Sequence, residues 1–369
     1  MPYLSSKIAD LISQEKESWV EKIYLSPLAL LSFLYKQAVT TRLLLYSSGL
    51  IKVKSLPLKV ISVGNITMGG TGKTPLVIGL AEMLKESSCP ISILSRGYKG
   101  KYKGKVLLVA DHEKIWAQPE QCGDEPYLLA KKLPGIPIIV GVDRYLSGLY
   151  AFQNFQSKIL ILDDGFQYLS LKRDLNLLLL DSTLPFGNGW LFPRGILREP
   201  INQIKRADAV ILTKAGQSAN ILILKEKLLN IKKEMLTFAT DYTPSKIWMV
   251  EGKFYAPEFL KGKKVLAFCG IGRPLSFKET LIKLEPKFLE VEVFPDHHWY
   301  KEKDWQRLHA KAKEMKADIL LTTEKDWIRL QDFPLGPVPL GVLIIRHSFL
   351  NDDEISFKKF VFSKLGLDS

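Results

Sequence analysis

Residues 59–74 read KVISVGNITMGGTGKT. Val60, Ile61 and Val63 make a short apolar, β-branched run, which is a strand by composition. The chain then turns through Gly69, Gly70 and Gly72 to reach Lys73 and Thr74, and 75–85 continues as a helix apolar on one side. Strand, glycine turn, Gly-Lys-Thr and helix is the layout of a phosphate cradle. Glycines let backbone N–H groups point inward, and a helix N-terminus adds partial positive charge. A lysine there reaches the outer phosphates, and a threonine hydroxyl suits Mg²⁺. We therefore read Thr67, Met68, Gly69, Gly70, Thr71, Gly72, Lys73 and Thr74 as the nucleotide-binding loop. The glycine that usually opens such a loop is replaced by Thr67, and the alternative for the stretch is an ordinary glycine turn.

Outward from this loop, strand and helix alternate. Strands are expected at 60–63, 91–94, 106–109, 136–140, 159–162, 177–180 and 209–212, with helices at 125–132 and 145–155 among those between. Continuous Val/Ile/Leu strands so spaced predict a buried, mostly parallel sheet with helices on both faces. Ligands of such sheets collect at the C-terminal strand ends. A hairpin is expected in IWMVEGKFY (247–255), followed by a second, smaller α/β domain with strands at 265–268, 291–294, 319–322 and 338–345 and a helix at 303–316. Before the loop, 26–49 reads as one helix, with Ser26 as its cap, Pro27 in its first turn and Gly49 at its end. Lys36 and Arg42 interrupt its apolar run. It is either an interfacial helix on a membrane or a helix packed on the core. The expected fold is thus an α/β, P-loop NTPase-like sheet with a second α/β domain and an N-terminal helix. Its segments are 1–54, 55–244, a hairpin linker at 245–258, and 259–369.

The chain has 369 residues, 46% of them hydrophobic, enough to bury the cores of two domains. Its formal charge of +13 favours a polyanionic partner such as a nucleotide, nucleic acid or an acidic membrane surface, or else reflects a solvated basic surface. Cys89, Cys122 and Cys269 are scattered, which argues against structural zinc or a disulfide framework. Residues 1–19 carry charges throughout and lack the apolar stretch of a signal peptide.

The unusual residues stand after the strands. Asp163 and Asp164 end the strand at 159–162 and precede Gly165, Phe166 and Gln167. A strand ending in Asp is the usual partner of a phosphate loop, holding Mg²⁺ directly or through water. Adjacent carboxylates are costly unless a cation or donors compensate them, and the alternative is a cap or surface turn. In GDEPYLLA (123–130), Asp124 and Glu125 open a helix, where acids complement the dipole. Asp124 is equally suited to take a proton from a substrate hydroxyl, so both readings stand. The loop PFGNGWLFPRGILREP (185–200) sets Arg194 and Arg198 among Trp190, Leu191, Phe192 and Ile196. It suits a greasy, anionic substrate, or it folds onto the sheet with Arg198 in an ion pair. His297 and His298 follow a strand of the second domain. Either one of them approaches Asp124 across a cleft, or the pair is structural. A switch-type GTPase is opposed by Gly216, which stands where a guanine reader has Asp after Thr213-Lys214. A nucleic-acid-binding ATPase lacks an aromatic-interleaved basic motif, and a membrane protein with a decayed site is opposed by intact Lys73, Thr74, Asp163 and Asp164.

Assembled in order, SVGNITMGGTGKTP, LSRGYKG, GDEPYLLA, ILDDGFQ, PFGNGWLFPRGILREP, RADAVILTK, FCGIGRP, FPDHHWY and LTTEKD give a chain that resembles the tetraacyldisaccharide 4'-kinase (lipid A 4'-kinase) family. The family's phosphate loops commonly lack the first glycine, as here at Thr67. The resemblance implies an ATP- and Mg²⁺-dependent kinase acting on the 4'-hydroxyl of a lipid A disaccharide 1-phosphate. It implies a monomer bound peripherally to the anionic cytoplasmic face of the bacterial inner membrane, with no nucleic-acid partner. It assigns catalysis to Asp124, its partner His297, and Lys73; metal binding to Thr74, Glu125 and Asp163; and substrate contacts to Asp164, Gln167, Tyr168, Arg144 and Arg198. The family usually has His where this chain has Tyr168, which donates a hydrogen bond but carries no positive charge.

Overall fold

A computed structural model of the chain describes residues 18–87 and 89–367. The charged segment 1–17 lies outside the described residues. Ser18 opens a short helix, α1 (Trp19–Tyr24), in a reciprocal capping box with Glu21. Leu25 leads directly into α2 (Ser26–Ser47). Ser26 is therefore the first helical residue and not the cap. Leu25 takes that position because its own N–H is already bonded to Glu21 O at 2.9 Å, in the last turn of α1. Pro27 sits in the first turn as expected, and Gly49, at φ +76°, follows the last. The most apolar 18-residue window of α2 has a mean hydropathy of 1.2 and is only 6% buried. α2 is therefore not a buried core helix, although Tyr35 packs against the core of the first unit. By length and composition α2 is able to cross a membrane, even with Lys36 and Arg42 in it.

The chain forms two compact units. The first takes the described residues up to Arg96, then Gly141–Asp241 and those from Ser348 onward; the second takes Gly97–Val140 and Tyr242–His347. In chain order, β1 (Lys59–Asn65), α3 (Lys73–Glu86) and β2 (Ile91–Ser95) belong to the first unit. Then β3 (Leu107–Ala110), α4 (Pro119–Cys122), α5 (Asp124–Lys132) and β4 (Ile138–Val140) belong to the second. The first unit resumes with α6 (Arg144–Phe155), β5 (Ile159–Asp163), β6 (Leu175–Asp181), β7 (Ala209–Thr213) and α7 (Ile221–Ile231). The long strand β8 (Leu236–Met249) passes from the first unit into the second. There follow β9 (Phe254–Tyr255), β10 (Lys264–Cys269), α8 (Pro274–Ile282), β11 (Phe288–Val293), α9 (Glu302–Glu314), β12 (Ile319–Thr323), α10 (Glu324–Ile328) and β13 (Leu340–Phe349). The closing helix α11 (Asp353–Leu365) returns to the first unit.

In the first unit the strand order is β8–β7–β6–β1–β5–β2, every pairing parallel. β5, β6 and β7 are buried along their whole length, and β1 is buried from Val60 on, as parallel strands with both faces covered must be. The register sets Val63 beside Asp163, so β5 ends two residues before β1 and their following loops emerge at the same edge of the sheet. In the second unit β11–β10–β12–β13 are parallel. β8 and β9 form the expected hairpin, Ile247 opposite Tyr255. β3 and β4 run antiparallel, an exception to the parallel pattern read from 106–109 and 136–140.

These units are discontinuous, whereas the sequence alone suggests contiguous segments bounded at 54, 244 and 258. Residues 97–140 join the second unit through ion pairs of Glu125 with Lys325 and Lys132 with Glu324. α11 joins the first through Phe357, whose ring centroid is 5.2 Å from that of Phe238, and through Asp353 Oδ2, which accepts from Ala239 N–H at 2.6 Å. Such long-range pairings leave no local trace in composition.

Candidate active site

Asn65, the last residue of β1, is fully buried and organises the loop that follows it. Its Nδ2 donates to Thr71 Oγ1 at 2.8 Å. Its Oδ1 accepts from Lys73 Nζ at 3.4 Å and from Arg198 Nη1 at 3.1 Å. Its main-chain oxygen accepts from Gln167 Nε2 at 2.8 Å. Thr67 is buried and bridges to Leu197, Met68 N–H donates to Ile196 O at 2.7 Å, and Arg198 N–H donates to Ile66 O at 2.7 Å. The loop is thereby stitched to 185–200, which explains why a side chain is tolerated where the usual pattern has glycine. Gly69 (φ +97°) and Gly72 (φ +84°) take left-handed conformations, and Gly72 is the N-cap of α3. A Cβ added at Gly70 would meet nothing within 4 Å, so that side of the loop is open. Lys73 and Thr74 open α3, and Thr74 is buried.

Asp164 takes the left-handed conformation (φ +55°) that turns its carboxylate toward this loop. Arg198 grips both oxygens, at 2.8 and 3.2 Å, and Lys73 Nζ stands 3.6 Å away. Burial alone would raise the Asp164 carboxyl, but Lys73, Arg198 and Arg144 pull it down to about 2. Asp163 is buried at the end of β5. Arg144 is buried too, its guanidinium donating to Gly141 O. Burial lowers its pKa to about 10 against the charges of Asp163 and Asp164, which work the other way. Tyr168 OH donates to Asp143 Oδ1 at 3.2 Å and accepts from Arg144 N–H at 3.0 Å, so Tyr168 is tied to the start of Arg144's helix. Within 185–200, Leu191, Ile196, Leu197 and Arg194 are buried while Trp190 and Phe192 are exposed. This is the folded loop with Arg198 in an ion pair. The Thr213-Lys214 element places Lys214 against Asp181 at 3.0 Å.

The second unit holds a separate constellation. Asp124 opens α5, is 4% exposed, and accepts at Oδ2 from His297 Nδ1 at 2.7 Å. Both residues lie in this one unit, and the contact is not the cross-domain approach expected from contiguous domains. His297 itself is left-handed (φ +59°), its N–H bonded to Gly270 O at 3.0 Å. Tyr98, from the LSRGYKG motif, meets its ring edge-on at 5.6 Å. Arg329 lies behind the pair. Its Nε is 3.8 Å from Asp124 Oδ2, and it donates to His298 O at 2.8 Å and to Asp326 Oδ1 at 3.0 Å. Burial pushes the Asp124 carboxyl up, but the His297 hydrogen bond and the charges of His297, Lys325 and Arg329 bring it below the ordinary aspartate range. Glu125, read as a metal ligand, is ion-paired with Lys325. His298 bonds Asp304 Oδ2 at 3.0 Å, a structural role. Among the described residues, no three His, Cys, Asp or Glu side chains cluster as a metal site.

Asn65, Lys325 and Arg329 are site residues that motif reading passed over. Asn65 and Lys325 lay inside quoted motifs without an assigned role. Arg329's only signal was its position one helical turn after Lys325.

A parallel sheet whose first strand feeds a glycine loop, with lysine, threonine and a strand-end aspartate beside it, defines a phosphate-loop nucleotide-dependent phosphotransferase. The LpxK family, tetraacyldisaccharide-1-P 4'-kinase, matches residues 24–363. A tetraacyldisaccharide 4'-kinase of Syntrophus aciditrophicus (strain SB) is 41% identical over 333 residues, 87% of this chain and 89% of the relative. One of Desulfatibacillum aliphaticivorans is 40% identical, covering 92% of each. A crystal structure of LpxK from Aquifex aeolicus in complex with ATP superposes with a TM-score of 0.71 at 34% identity, over 93% of this chain and 99% of that one. The chain belongs to the tetraacyldisaccharide-1-P 4'-kinase family, kinases of lipid A biosynthesis.

Proposed function

We propose that this chain transfers the γ-phosphoryl group of ATP to the 4'-hydroxyl of a tetraacylated glucosamine disaccharide 1-phosphate. The observation that carries the proposal is the loop built on Asn65, with its open Gly70 face and Lys73 at the head of α3. Backbone N–H groups of Gly69 to Thr74 hold the triphosphate, and Lys73 exchanges Asp164 for the phosphate oxygens. Asp124, kept ionised by its cationic neighbours, accepts the hydroxyl proton while His297 Nδ1–H holds the other side of the carboxylate. The acceptor oxygen forms a bond to the γ-phosphorus, the bond to the β,γ-bridging oxygen breaks, and ADP leaves. Arg144 and Tyr168 serve the acceptor side of the first unit, while Arg198 and Gln167, engaged with Asp164 and Asn65, brace the phosphate loop. The Thr74 hydroxyl and Asp163 carboxylate are hard oxygen donors that fit Mg²⁺, while Glu125 balances Lys325. Bound there with the triphosphate, Mg²⁺ supplies charge neutralisation at the β- and γ-phosphate oxygens.

The exposed apolar residues of α2 and the +13 charge support peripheral attachment to the anionic cytoplasmic face of the inner membrane, where the acyl chains of the acceptor reside. Incubation with the disaccharide 1-phosphate and γ-labelled ATP tests the proposal. Label appears in the lipid with wild type and not with Asp124→Asn, and an unlabelled lipid refutes it.

A further inference from the structure

α2 is exposed along most of its length, with Leu28, Val39 and Leu43 half-buried and Ser32 buried. Ser32, Tyr35 and Arg42, at helical spacing, each donate to a main-chain carbonyl. Ser32 Oγ donates to Leu191 O at 2.7 Å, Tyr35 OH to Arg198 O at 3.0 Å, and Arg42 Nη2 to Gln167 O at 2.9 Å. Ser32 is buried, and the Tyr35 ring stands edge-on to Phe192 with centroids 6.0 Å apart. Leu30, Leu31, Phe33, Leu34 and Leu44 remain exposed. A membrane anchor has no need of donors aimed at loop carbonyls, so these bonds call for another purpose.

The carbonyls chosen supply that purpose. Arg198 and Gln167 are the residues whose side chains converge on Asn65, which in turn holds Thr71 and Lys73. Fixing their main chain fixes where those side chains reach. We propose that Tyr35 and Arg42 are positioning residues for phosphoryl transfer, pinning Arg198 and Gln167 so that α2 sets the geometry of the phosphate loop. If the pins are removed, Arg198 slackens its grip on Asp164, and that carboxylate draws Lys73 from the nucleotide. Loss then falls on turnover and nucleotide affinity and leaves the acceptor's KM alone. The inference rests on the kinase reading above.

Its test compares wild type, Tyr35→Phe, Arg42→Met and Arg42→Lys, using the full chain. Removing one such bond lowers kcat about three- to tenfold, with acceptor KM unchanged within about twofold. Arg42→Lys recovers most of the loss, because an ammonium still donates to Gln167 O. Melting temperatures within about 3 °C of wild type separate positioning from collapse. If Tyr35→Phe fails to fold, the two Arg42 variants decide alone. An unchanged kcat, or a loss confined to acceptor KM, overturns the inference. Wild type that transfers no phosphate overturns the kinase reading instead. Titration with a fluorescent ATP analogue then still judges the pins: weaker binding by the Phe and Met variants supports them, and equal binding refutes them.

Discussion

Asp163 and Asp164 are neighbours in sequence and separate in environment. One ends β5 in the core, and the other turns through a left-handed residue into the grip of Arg198 and Lys73. The pair was legible as a pair. The split was not, because Arg198 arrives from a loop 34 residues on. With its carboxyl held at about 2, Asp164 contributes stability that is present above its unfolded value and is lost as pH falls from about 4 to about 2. Arg198→Met raises that carboxyl, so the acid-unfolding midpoint moves to higher pH, which circular dichroism along a pH titration detects. Asp124 follows the same sign. Burial favours its protonated form, and the His297 bond with the His297, Lys325 and Arg329 charges more than reverses that. As a base it works ionised, so the acid limb of the kcat/KM profile lies below the ordinary aspartate value. Lys325→Met removes one of the cations, and the limb shifts to higher pH. An unmoved limb takes Lys325 out of the electrostatics of the base.

At the scale of elements, strands were the easiest to read, since unbroken Val/Ile/Leu runs in a parallel sheet need no partner to be recognised. The phosphate loop was equally plain, because its glycines, lysine and threonine are contiguous in the sequence and lead from a strand into a helix. Helix starts were harder. Ser26 fits every rule for a cap, yet the preceding helix claims that place for Leu25. The antiparallel β3–β4 pair was hidden because strand composition carries no direction. The start of α5 shows how narrow such a junction can be. Gly123 has φ +90° and ψ 159°, a region reserved for glycine, and a Cβ there would stand 2.6 Å from Tyr98 O. The next residue is Asp124. Gly123→Ala therefore costs about 1–3 kcal/mol in urea denaturation and shifts the base away from His297, dropping kcat well beyond what the stability loss explains. Retention of both wild-type stability and rate removes the junction from the account.

Over the whole molecule, the +13 charge and the apolar N-terminal helix were visible in sequence, but neither states a partner. Which side of α2 is covered depends on Leu191, Arg198 and Gln167, and no periodicity within 26–47 points to them. The structure leaves Leu31 and Leu34 exposed on the helix that donates to those loops. Charge and apolar area then contribute to membrane binding in ways that salt separates. Headgroup attraction is screened within about 10 Å at 0.1 M salt, whereas burial of leucine in the interface persists. Wild type is expected to float with vesicles containing anionic lipid at low salt and to remain partly bound at about 0.5 M. A Leu31→Ser/Leu34→Ser protein loses at least about tenfold in partitioning at high salt, each leucine contributing about 1.5–3 kcal/mol when fully buried. ATP affinity, read by the same fluorescent analogue, stays at the wild-type value, because Ser32, Tyr35 and Arg42 still hold the loop. Flotation of that protein equal to wild type at high salt would show that Leu31 and Leu34 do not anchor it.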